Sequence, residues 1–201
     1  PPDARITHPV DRAMIARLAT VVDQATSAFE GYDYARALER TESFFWWFCD
    51  DHVELVKGRA YGNQGDAASA SARAALEEAL GVLLRLLAPI LPYATEEAWS
   101  WWQEGSVHRA PWPDPTAVVM DAGGGDPLVT EVASAVLSEI RKAKTEAGTS
   151  LRAEVASVTS ATPPAGTASA ARTIVAPRTR ASVVGLVTFV TLGALGVGYR
   201  L

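Results

Sequence analysis

The chain has 201 residues, 48% hydrophobic and 20% charged, which is enough apolar content to bury a core and excludes a disordered tail. A single cysteine, Cys49, excludes an internal disulfide and fits the reducing cytoplasm, while three dispersed histidines offer no metal-ligand spacing. The net charge of −5 argues against strong non-specific nucleic-acid binding, which needs a Lys/Arg surface to displace counterions, and no DNA partner is expected.

The first two-thirds reads as amphipathic helices. Met14, Leu18, Val21, Val22, Ala25 and Phe29 recur at three- and four-residue spacing, one buried stripe that Gly31 ends. Asp33 is placed to cap a second helix with Tyr34, Leu38, Thr41, Phe45, Phe48, Leu55 and Val56 on its apolar side. Residues 58–65 read as a loop, and Asp66 as the cap of a third helix buried through Ala72, Leu76, Leu80, Leu83, Leu84 and Leu87.

Pro89 and Pro92 stop that helix, and Thr95 is expected to cap a short one with Glu96 and Glu97 in its first turn. Residues 105–125 read as a Pro/Gly-rich crossing. Asp126-Pro127 then opens a helix to about Gly148 with Val132, Val136, Ile140 and Ala143 on one side. Residues 151–159 alternate as a strand, and 160–181 are a Pro/Ala/Ser/Thr/Arg-rich linker.

Charge is distributed unevenly. Residues 1–116 carry 17 acidic and 10 basic groups, whereas residues 151–201 carry one acid, Glu154, and five arginines. A divergent strand-rich end or a change of reading frame after about Ser160 would each produce that shift. Residues 181–199 hold no charge and satisfy the length rule for a membrane span. Four glycines and two threonines among them suit strands and turns better, so no membrane role is expected.

Three segments together carry a family resemblance. They are Asp11-Arg12-Ala13-Met14-Ile15-Ala16-Arg17-Leu18, then the run from Phe44 to Lys57 containing Phe48-Cys49-Asp50, then Pro89-Ile90-Leu91-Pro92-Tyr93-Ala94-Thr95-Glu96-Glu97-Ala98-Trp99. In order and spacing they resemble the anticodon-binding domain of class I aminoacyl-tRNA synthetases for large aliphatic amino acids. The Phe-Cys-Asp element is similar to the valyl branch.

The fold expected is mainly α: an anticodon-binding helix bundle over residues 1–116, then a small α+β appendage over 117–201. The resemblance implies a partner, tRNA(Val), and an upstream catalytic core of the same protein that would use ATP. The signature strings of that core are absent, so no cofactor and no catalytic residue are expected in this chain, which opens on Pro1 as a piece of a longer one.

Val53 and Lys57, four residues apart on one helix face, pair an aliphatic patch with a cation, a combination suited to an unstacked base and its phosphate. The competing reading makes Val53 core and Lys57 a solvated charge. Arg12 and Arg17 complete the candidate tRNA contacts. Trp46, Trp47, Trp99, Trp101 and Trp102 are expected to be packing groups, and Cys49 a small buried hydrophobe. Three alternatives remain: the same module from an isoleucyl- or leucyl-type enzyme, a helical protein-interaction domain without RNA, or a membrane-anchored helical protein, which rests only on residues 181–199.

Overall fold

The computed structural model describes residues 5–150, 153, 155, 157–159 and 174–176. Two compact units divide the chain, one through Thr130 and one from Glu131.

The first unit is a helix bundle built around α1 (Pro9–Glu30). His8 caps it, Pro9 takes the first position where no amide partner is needed, and Gly31 closes it with its amide on Ser27 and Phe29 carbonyls. The helix therefore begins ahead of the Asp-Arg pair, whose aspartate lies in its first turn. Packing by α2 (Tyr34–Trp47), α4 (Asp66–Leu87) and α6 (Pro115–Ala122) buries α1 on several sides. The expected stripe is present and broader, with Ala13, Ile15 and Ala19 also buried and Phe29 half-exposed.

Asp33 does cap α2, its Oδ1 accepting from the Arg36 amide at 3.1 Å. The buried face is rotated from the expected one, running through Ala37, Thr41, Phe44 and Phe48, with Tyr34 exposed and Phe45 only half-buried. Both stripes keep three- and four-residue steps, so periodicity alone does not choose between Phe44 and Phe45; packing against α1 and α4 does. A π-turn (Phe48–His52) then joins α2 to α3 (Val53–Ala60) without a break. Gly58 is thus helical, and the loop expected from residue 58 begins only at Tyr61.

In α4 the N-cap is Gly65, at φ 88°, and Asp66 is the first helical residue with its carboxylate at the positive dipole end. Alanines at 72, 75 and 79 with Val82 and Leu86 form its buried face, while Leu80 is exposed. Of the expected face, Ala72, Leu83 and Leu84 are buried and Leu76 and Leu87 half-buried; only Leu80 was misplaced, its share of the face being taken by alanines that let helices approach closely.

Helix α5 (Pro92–Ser100) begins three residues before the expected cap. Pro92 occupies its first turn, and Thr95 is buried inside it with Oγ1 donating to Leu91 O at 2.8 Å. Glu96 instead accepts from the Ser106 hydroxyl at 2.9 Å and the Val107 amide at 3.0 Å, fixing a 3₁₀ turn (Val107–Arg109). The crossing is no loop either: α6 seats Val118 in the core, and Gly125 lies so close to the Arg12 carbonyl that no Cβ would fit there.

In the second unit, α7 (Leu128–Glu146) starts where Asp126 Oδ1 accepts from the Leu128 amide at 2.9 Å. Ala133 and Ile140 are buried, and so is Lys144, with Nζ donating to Ala153 O at 2.7 Å. Strands β1 (Ser157–Thr159) and β2 (Ile174–Ala176) pair antiparallel, Val158 opposite Val175. The uncharged tail, 181–199, and most of the expected linker lie outside the described residues. Among those described, no helix is long and apolar enough to cross a membrane.

Candidate nucleic-acid interface

Asp11, the first residue of the Asp-Arg segment, faces inward. Its carboxylate is fully buried and receives both guanidinium nitrogens of Arg59 (Nη1 to Oδ2 at 2.5 Å, Nη2 to Oδ1 at 2.6 Å) and the Ser71 hydroxyl at 2.7 Å. Ser71 Oγ in turn accepts from the Thr7 and His8 amides at 3.0 and 2.9 Å. One carboxylate thereby ties α1, α3 and α4 together and fixes the segment leading into α1. A bidentate pair has the geometry that repays desolvation best, although Arg59 Nε has no partner among the described residues.

Neither Arg59 nor Ser71 was anticipated as important. A signal was present: Asp11 falls on the stripe continued by Met14, Ile15 and Leu18, and Arg59 stands three and four residues beyond Val56 and Leu55. A charge of each sign on an apolar stripe indicates a buried pair.

The π-turn sets the other side of α3. His52 is fully buried, its ring stacked on Phe48 at 5.7 Å and tilted against Trp47 at 5.6 Å, with no partner for either ring nitrogen. Burial dominates its titration and pushes the pKa down to about 4. The sign follows from linkage: the unfolded imidazole takes up its proton near pH 6.5, the folded one near 4. The resulting stability is complete above 6.5 and is lost as pH falls from there towards 4. His52→Phe keeps the stacked ring and removes the titrating group. Urea midpoints of the variant are expected to fall less between pH 6.5 and 4.5 than those of the parent chain; parallel curves would place this pH dependence elsewhere, His8 being the first candidate since burial lowers its pKa too.

Immediately after His52, Val53 is half-buried and packs against the core from its edge. Lys57, one turn on, is about half-exposed, and Nζ pairs with Glu54 at 2.6 Å. Arg17 lies flat over the Trp47 ring, 3.9 Å from its centroid, and at 6.0 Å from Phe44. These residues border the joint where α1, α2 and α3 meet, and Val53 combines the core and surface readings. Arg12 lies elsewhere: half-buried, it donates through Nε to Ile6 O at 3.0 Å, with its guanidinium against Gly123.

Of the expected packing aromatics, Trp47, Trp99 and Trp102 pack against the core clusters, but Trp46 and Trp101 are 55% and 75% exposed. Their indole nitrogens donate to Glu42 and Glu97 along their own helices, which holds them on the surface. Cys49 packs against the core from a half-buried position, and burial raises the pKa of its thiol.

The class these residues define is an all-α bundle with an aliphatic and cationic edge; among the described residues there is no group of three metal-ligating side chains. Residues 11–160 match the family model described as the anticodon-binding domain of tRNA ligase, and the chain belongs to that family. Its relatives are proteins named valine–tRNA ligase: one from Thermobifida fusca, 58% identical over 156 residues and 78% of this chain, and one from Salinispora arenicola, 56% identical over 171 residues and again 78%. A third, from Cutibacterium acnes, is 43% identical and covers 94% of the chain, so the likeness continues beyond residue 160. The chain spans only about a fifth of the length of these relatives, with 18%, 20% and 21% of each covered.

Proposed function

We propose that this chain is the anticodon-arm-reading part of a valine–tRNA ligase. It holds tRNA(Val) so that the acceptor end reaches a catalytic core elsewhere in the same protein. The family match over residues 11–160, joined to relatives named for valine, carries the reading. In this reading the chain binds no cofactor, ATP being consumed by the catalytic core, and it works in the cytoplasm. Val53 supports an unstacked base, Lys57 releases Glu54 to meet phosphate, and Arg17 and Arg12 extend the contact surface. The strand pair with α7 forms the α+β appendage that follows the bundle.

Fluorescence anisotropy of a valine anticodon stem-loop against one with a swapped anticodon, across a salt series, is the test. Preference for the valine loop with salt-weakened affinity is expected. Lys57→Gln should lower the salt slope by about one for both RNAs, as a phosphate contact does. Val53→Ala should narrow the difference between the two loops. Equal binding of both RNAs by the unsubstituted chain would sink the anticodon reading.

A protein-interaction role has one observation in its favour. An apolar groove of about 490 Å³ is walled by Phe29, Tyr34 and Trp112, the last anchored by its indole on Thr26 Oγ1 at 2.8 Å. Partner capture there would be indifferent to salt.

A further inference from the structure

An acidic domain that binds RNA has few cations to spare, and most of those in residues 1–116 are engaged within the protein. Arg59 is buried on Asp11, Arg17 stacks on Trp47, Arg5 and Lys57 sit on Glu77 and Glu54, and Arg12, Arg73 and Arg85 donate to backbone carbonyls. Three arginines remain. Arg109 stands alone on the 3₁₀ turn, whereas Arg36 and Arg40 are one helical turn apart on α2 and line the same groove. That groove, about 560 Å³ in volume, runs between α1 and α2, with Gln24 and Ser27 on the α1 side.

We propose that this groove is a second RNA contact, a track for the phosphate backbone of the anticodon stem, engaged by Arg36 and Arg40. The inference rests on the RNA-binding reading above and adds to it a site away from the α1–α2–α3 joint. Arg40 has no ion-pair partner among the described residues. Arg36 approaches Asp33 only at 3.8 Å with both side chains more than half exposed, a pairing weak enough in water to yield to phosphate. Asp33 is in any case occupied as the cap of α2.

Residues at i and i+4 are neighbours on a helix face, their Cβ atoms about 5–6 Å apart, so the two long side chains can both reach one strand's phosphates. The amide of Gln24 and the hydroxyl of Ser27 supply neutral donors opposite them. Asp23 and Asp33 also line the groove, so its two carboxylates match the two guanidinium groups in charge, and Arg36 has to turn from Asp33 towards the phosphate to make the contact. Contacts of this kind position an RNA without reading its bases.

The test uses the full chain, a valine anticodon stem-loop hairpin and the same hairpin with a swapped anticodon. Changing Arg36 and Arg40 together to glutamine keeps good helix formers on α2, and far-UV circular dichroism checks the fold. The double variant is expected to lower the salt slope of binding by about two and to weaken both hairpins by the same factor, about tenfold at moderate salt. The preference for the valine loop should not move. Arg109→Gln, the exposed arginine outside the groove, is expected to leave the slope unchanged.

An unchanged slope in a folded double variant overturns the track, as does a lost preference between hairpins. Equal losses from Arg109→Gln would show diffuse charge and overturn it too. If the unsubstituted chain binds neither hairpin, the RNA reading itself falls and takes the track with it; if it binds, only the track is at stake.

Discussion

Replacing Arg59 with alanine is expected to cost the bundle about 3–5 kcal/mol of stability, the range for breaking one side of a buried ion pair. Asp11 would keep its Ser71 hydrogen bond but lose two charge-assisted donors in a site with no exposure to water. Against a domain stability of order 5–15 kcal/mol, that is enough to populate the unfolded state. Asp11→Asn should cost a similar amount, since it leaves the Arg59 guanidinium buried without a counter-charge and turns an NH2 donor against other donors. Replacing both residues with apolar ones of similar volume should recover much of the loss, because the desolvation cost disappears with the charges. Urea unfolding followed by circular dichroism measures all three; a loss below about 1 kcal/mol for Arg59→Ala would mean that water reaches the pair and that it behaves as a surface bridge.

What was legible in the sequence depended on how far each feature is local. The caps at Asp33 and Asp126 were read correctly because a capping carboxylate and its amide lie within three residues of each other. The central stripe of α1 was legible because strong periodicity over five turns outweighs any single residue. Thr95 failed as a cap because two locally valid starts compete, and Pro92, three residues earlier, wins.

The features that were not legible are long-range or depend on size. Helix α6 is short, and its place against α1 is set by Val118 and by the close approach at Gly125, contacts across a hundred residues of chain. The alanine face of α4 has no hydrophobic contrast for periodicity to detect. Within the candidate site, Val53 and Lys57 were singled out in the sequence, whereas the buried ion pair was not. The partners of Asp11 there, Arg59 and Ser71, stand 48 and 60 residues away, and only the tertiary fold brings them together.

The π-turn is the most consequential of these, and a pair of neighbouring substitutions tests its effect. Phe44→Ala is expected to destabilise the bundle by about 3–5 kcal/mol, as for removal of a fully buried aromatic. The ring is 2% exposed and packs against Trp47 at 5.4 Å and Phe48 at 6.1 Å. Phe45→Ala should cost clearly less, about 1–2 kcal/mol, since that ring is half-buried and removing it opens no sealed cavity. The opposite order would mean that α2 is turned by one residue, about 100°, from the face described.

That rotation would not stop at α2. Because the π-turn continues without a break into α3, turning α2 would carry His52 and Val53 with it, driving Val53 inward or out into solvent and displacing Arg59 from Asp11. The cost ratio between two adjacent phenylalanines therefore reports whether the aliphatic contact proposed for the anticodon lies at the edge of the core. An intact ratio with Val53→Ala affecting only RNA discrimination would assign Val53 to recognition. If Val53→Ala instead destabilises the bundle about as much as Phe45→Ala and leaves discrimination alone, Val53 belongs to the core, and the anticodon is read elsewhere on the domain.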